Sequence, residues 1–184
     1  PGSLPDGPPV DVYLEPVQNE AYISGITPLF QRDVRRIALQ SRHLNLVADP
    51  DQADLTAYVR LADLRERQVA FLEDDSGQAV SSRLTLSAVL TVSEPGGATP
   101  LIDEETLSVN SPVYSDPQTA FSNPVDQTKP FISRNLASSV VLAIELAGRK
   151  LQADRTPEAG GVAPTGLTAH ARTRAADAGP ADAS

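Results

Sequence analysis

Three arginines, Arg65, Arg67 and Arg83, are the residues whose type and spacing best suit a chemical task. Arg65 and Arg67 lie two apart in an alternating stretch, so they share one strand face, and Arg83 stands on the polar face of the strand that follows. Guanidiniums gathered in this way bind phosphate bidentately. The competing reading is three separately solvated arginines tempered by Glu66. The other polar groups have plainer explanations. His43 falls at a helix end, where a cation favours the dipole, and His170 lies in a polar tail. Asp49, Asp51 and Asp54 lack the later glycine and glutamate of a calcium loop and read as turn residues. Glu73-Asp74-Asp75 reads as a hairpin tip, and Arg32, Arg35 and Arg36 as a solvated helix face. No G-x-S-x-G, Walker or dinucleotide fingerprint occurs, so no catalytic residue, metal or cofactor is expected and the protein reads as a non-enzyme.

The composition narrows the partners. A net charge of −9 with only 15 Lys+Arg argues against nucleic acid, which needs a basic footprint to release counterions. The sequence holds no Cys, Met or Trp, which removes disulfides, thiolate metal sites and cysteine nucleophiles and leaves the redox compartment open. With no run of about 18 apolar residues, no stretch is expected to span a membrane. An apolar content of 40 % over 184 residues is enough for one domain.

The elements that must position the arginines follow from periodicity. Val10 to Leu14 alternates as a strand and stops at Glu15-Pro16. Thr27 as N-cap and Pro28 at the first helical position open a helix to Arg42, with Ile26, Leu29, Phe30, Val34, Ile37 and Ala38 as its apolar stripe. Leu44 to Val47 is either a short strand or the descent into a turn. Ala53 to Phe71 reads as one long strand. Its apolar residues are odd-numbered through Leu61 and even-numbered at Leu64, which predicts a β-bulge near Ala62-Asp63 that turns Arg65 and Arg67 outward. The hairpin loop Glu73 to Gly77 leads to the cleanest strand, Leu84 to Val92. After Glu94-Pro95-Gly96-Gly97 comes an acidic edge strand, Thr99 to Val109. Asn110 to Gln127, with Tyr114 and Phe121, reads as a long loop. A second helix runs from Pro130 to Ala147 with Gly148 as its cap.

The predicted fold is therefore α+β, β-α-β-β-β-α, with two helices packed on one face of a mostly antiparallel four-stranded sheet. Residues 10–150 form the domain. Residues 1–9 read as a leader whose Pro1-Gly2-Ser3 resembles a protease scar left after tag removal. Residues 151–184, rich in Ala, Gly, Thr and Pro, read as a disordered tail.

Several positions together resemble a known family. Val10 to Val17, Asn19, Tyr22, Gly25-Ile26, Phe30, Val34, Leu39, Leu46-Val47 and Ala53-Asp54-Leu55 are similar to the LptE family, the small outer-membrane lipoproteins of the lipopolysaccharide-assembly complex. The later strands, the Tyr114 loop and the closing helix agree, so the likeness spans roughly residues 10–150. The resemblance implies a non-enzymatic protein on the periplasmic side of the outer membrane of a Gram-negative cell. Such a protein plugs a β-barrel translocon, helps it assemble and contacts lipopolysaccharide. It also implies a lipidated N-terminal cysteine, which this sequence lacks and a chain beginning downstream of it would explain. On that reading the phosphates of lipopolysaccharide are the partners of Arg65, Arg67 and Arg83. Two other readings share the opening pattern or the generic fold. One is a periplasmic lipoprotein that activates a cell-wall synthase, and the other a small-ligand binding domain.

Overall fold

The first strand, β1 (Val10–Leu14), buries Val10, Val12 and Leu14 and half-exposes Asp11 and Tyr13, the period-two pattern of a strand with one face on a core. It is followed by β2 (Gln18–Asn19), α1 (Ile26–Gln40), β3 (Leu44–Val47), a 3-10 turn (Pro50–Gln52), β4 (Leu55–Phe71), β5 (Ala79–Ser93), β6 (Ile102–Tyr114) and α2 (Pro124–Arg155). This computed structural model describes residues 8–71, 79–114 and 124–155. The hairpin tip Glu73 to Gly77, Phe121, the first seven residues and the segment after Arg155, with His170, lie outside the described residues.

The sheet differs from the predicted four antiparallel strands. It is a six-stranded mixed sheet in the order β3-β1-β4-β5-β6, with β2 paired to β4. β1 runs parallel to both β3 and β4. The reason is α1, which carries the chain back across the sheet between β1 and β3 and so makes a crossover rather than a hairpin. The Leu44–Val47 alternation is thus a strand. Only β4, β5 and β6 form the expected antiparallel meander, with β5 in its centre.

Both helices join one core. Ile26, Phe30, Val34 and Ala38 of α1 and Ile132, Leu136, Val140 and Ile144 of α2 pack with the inward residues of β1, β4 and β5, among them Leu55, Val59, Leu61, Leu84, Leu86 and Leu90. Thr27 lies inside α1 instead of capping it. Gly25 is the N-cap, in the left-handed conformation at φ 75° and with no side-chain hydrogen bond, a backbone state that glycine reaches without steric cost.

The second helix is longer than predicted at both ends. Pro124 opens it and Pro130 sits inside. The first turn gains an ion pair between Asp126 and Lys129 at 2.6 Å. Gly148 is likewise internal, where a Cβ would stand 3.2 Å from Val10 Cγ2. Glycine there lets α2 come down onto β1. Leu151 beyond it is buried, so the helix end at residues 151–155 belongs to the domain and not to the tail. Of the predicted loop Asn110 to Gln127, the first part belongs to β6, which continues to Tyr114, and the last part to α2, while residues 115–123 lie outside the described residues. By length and composition α2 could cross a membrane, yet half of its apolar window is buried against the protein. It is the core helix of this domain.

Candidate functional site

Helices cover one face of the sheet, and among the described residues no element covers the other. The bulge that sets the register of this open face is where the sequence places it. Leu61 pairs with Ala88 and Asp63 with Ser87, leaving Ala62 as the extra residue. Beyond it Leu64 packs against the core, while Arg65 and Arg67 are exposed opposite Thr85 and Arg83. The structure therefore brings all three predicted arginines to one face.

Their charges are not equivalent. Arg65 Nε ion-pairs with the Asp63 carboxylate on its own strand. Arg67 and Arg83 stand directly opposite each other, where Cβ atoms lie about 5 Å apart and like charges repel. Among the described residues neither meets a carboxylate. Glu66, expected to temper them, points to the other side and accepts a hydrogen bond from Ser82 Oγ at 2.6 Å. The charges without a carboxylate partner among the described residues are thus Arg67 and Arg83, with Arg65 ion-paired beside them.

A second charged group occupies the same face toward the other end of β4. Arg60 Nη1 lies 3.2 Å from Glu20 Oε2 and its Nη2 3.5 Å from Glu104 Oε1. This clamp joins the loop after β2 to the start of β6. No local sequence signal could have disclosed it, since its members come from three separate elements. Between the two groups Ser87 Oγ and Ser108 Oγ form a hydrogen bond at 2.9 Å. The open face therefore carries polar groups along its length, with Val89, Pro112 and the exposed Tyr114 among them.

The remaining titratable residues hold the fold. Asp49 caps the 3-10 turn by accepting from the backbone N–H of Asp51. Asp54 accepts from Asp11 N–H and from Arg155, whose guanidinium also reaches Glu94. The Arg155 hydrogen bond keeps the Asp54 carboxyl below its ordinary range, and the same contacts raise Arg155. His43 is half-buried just after α1, where its backbone N–H donates to Ser41 Oγ. Arg32 and Arg36 are not simply solvated: both reach Asp33, a carboxylate 1 % exposed between the helices. Asp33 was legible in principle, because helical spacing sets it on the side of Ile26, Phe30 and Ile37.

Two helices over one side of a mixed sheet, with the other side uncovered among the described residues, define an α+β domain with one open sheet face. The chain belongs to the LptE family of lipopolysaccharide-assembly proteins, whose model matches residues 10–176. Solved structures share the fold. Protein XCC0632 from Xanthomonas campestris is 14% identical with a TM-score of 0.57, over 83% of this chain and 91% of that one. The rare lipoprotein B from Shewanella oneidensis is 16% identical with a TM-score of 0.51, over 76% of this chain and 98% of its own. The hypothetical protein CT253 from Chlamydia trachomatis, at 10% identity, also has a TM-score of 0.51, over the same shares. No curated protein matches the sequence.

Proposed function

We propose that the protein is a non-enzymatic outer-membrane lipoprotein of lipopolysaccharide assembly. It sits against the inner wall of a β-barrel translocon, helps that barrel assemble, and touches lipopolysaccharide at the hairpin end of its sheet. Family membership supports the general role. The observation that carries the finer reading is the uncovered polar face of β4, β5 and β6, because a barrel lumen is polar and a plug must offer it a polar surface. An activator of a synthase would instead lead with an apolar patch. Lipid attachment through a cysteine upstream of Pro1 is part of the same proposal.

Within this reading Arg67 and Arg83 take the phosphates of lipopolysaccharide. Two opposed guanidiniums repel until an anion lies between them, and a phosphate accepts from both in fork geometry. Changing Arg67 and Arg83 together to glutamate is expected to abolish binding to purified lipopolysaccharide. Circular dichroism and co-purification of the barrel should be unchanged, since exposed strand charges contribute little to stability. Binding that survives the double reversal would remove the pair from the site, and a parent protein that captures no barrel would refute the plug.

A further inference from the structure

Tyr22 combines near-complete exposure with a left-handed backbone. Its side chain is 92 % exposed and its φ is +53°, in the left-handed region that glycine, asparagine and aspartate adopt and bulky aromatics avoid. Its neighbours are hydrogen-bonded. The N–H groups of Glu20 and Ala21 both donate to Leu61 O, at 2.9 and 3.1 Å. The Asn19 side chain donates to Ile23 O at 3.0 Å and accepts from Ile23 N–H at 3.4 Å. Ala21 and Ile23 pack into the core on either side. The loop is therefore pinned at both neighbours and holds one aromatic ring out in water. For folding alone, glycine or asparagine would serve better at this position.

Glu20 of this loop is linked through Arg60 to the acidic start of β6. Glu20 shares Arg60 with Glu104, so one guanidinium spans the two carboxylates, and Glu104 is the other non-glycine residue with positive φ among the described residues, +45°. Asp103 and Glu105 beside it are exposed. A rigid, exposed aromatic with a charged rim has the form of a binding hot spot: the ring fills a pocket and the rim sets orientation and partner choice. An anionic lipid surface is disfavoured by these carboxylates.

We propose that Tyr22 is a docking anchor that inserts into an apolar pocket, rimmed by lysine or arginine, on the wall of the barrel partner. This rests on the functional reading above. Tyr22 lies near the Arg60 end of β4. The Arg67/Arg83 pair is seven residues further along, about 23 Å at the rise of a strand, so docking leaves the glycolipid end free.

The test co-expresses the full chain with its barrel and compares wild type, Tyr22→Gly and Tyr22→Phe by co-purification titration and thermal melting. Tyr22→Gly is expected to weaken barrel association at least tenfold while its melting temperature stays equal or rises, and Tyr22→Phe to retain association. A lower melting temperature for Tyr22→Gly would show that the ring serves the fold and overturn the proposal. Unchanged association of Tyr22→Gly with a barrel that wild type does capture would overturn the anchor and leave the plug standing. If wild type captures no barrel, the functional reading fails and the anchor falls with it. Tyr22-dependent binding to phosphatidylglycerol/phosphatidylethanolamine vesicles would likewise overturn it in favour of a membrane contact.

Discussion

Asp33 shows how a single residue ties the two helices. Its Oδ1 accepts from Arg36 at 3.1 Å and lies 3.5 Å from Arg32, and its Oδ2 accepts from Ser133 Oγ at 3.1 Å. Ser133 is fully buried. Removing the carboxylate orphans that hydroxyl and leaves Arg36 without its buried partner, a loss of about 1–3 kcal/mol for an unsatisfied buried group. Asp33→Ala is therefore expected to lower stability by about that amount in urea melts, and a change below about 0.5 kcal/mol would mean that water replaces the contact without cost. The arginines were visible from sequence as a polar helix face. The hydroxyl that shares Asp33 with them was not, because Ser133 is 100 residues away and periodicity describes one element at a time.

At the scale of the element, α2 is fastened at its last residue. Arg155 donates to Asp54 at the entry to β4 and to Glu94 just after β5. The pair is half-exposed, so its contribution is modest and screened by salt. The depressed folded pKa of Asp54 fixes the sign: the stabilisation is present above the unfolded value of about 3.9 and is lost as pH falls through the lower folded value. Arg155→Gln should melt slightly below wild type at pH 7, and the gap should close as the pH is taken below about 4. A gap that is the same at pH 7 and at low pH would show that packing rather than the ion pair sets it. How much of each element was legible depended on where its information resides. The bulge in β4 was readable because the parity change from Leu61 to Leu64 lies within one strand. The parallel placement of β1 beside β3 and β4 was not, since strand order is decided by how α1 packs. The start of α2 was misplaced because Pro130 and Pro124 are equally good opening residues, and Gly148 because a glycine that admits a neighbouring strand looks the same in sequence as one that ends a helix.

The whole molecule has two unlike sides. The helices carry a cationic excess in an otherwise acidic chain, with three arginines and one aspartate in α1 and five cations against three acids in α2. Leu39, Leu142 and Leu146 are exposed on them. The other side is the polar sheet face with its arginine pair, serine pair and Arg60 clamp. The three arginines were predicted to share this face and do. That the face is uncovered could not be read from sequence, because alternation shows only that one side of each strand is polar, not whether another layer lies over it. Because the sequence contains no cysteine, single-cysteine variants report on either side without background. The most direct measurement is maleimide labelling of Ser108→Cys, on the sheet face, and Ser138→Cys, on the exposed face of α2, in the free protein and in its complex with the barrel. Both are expected to label in the free protein, and only Ser108→Cys to become protected in the complex. Continued labelling of Ser108→Cys with protection of Ser138→Cys would place the partner on the helices and contradict docking through the sheet face.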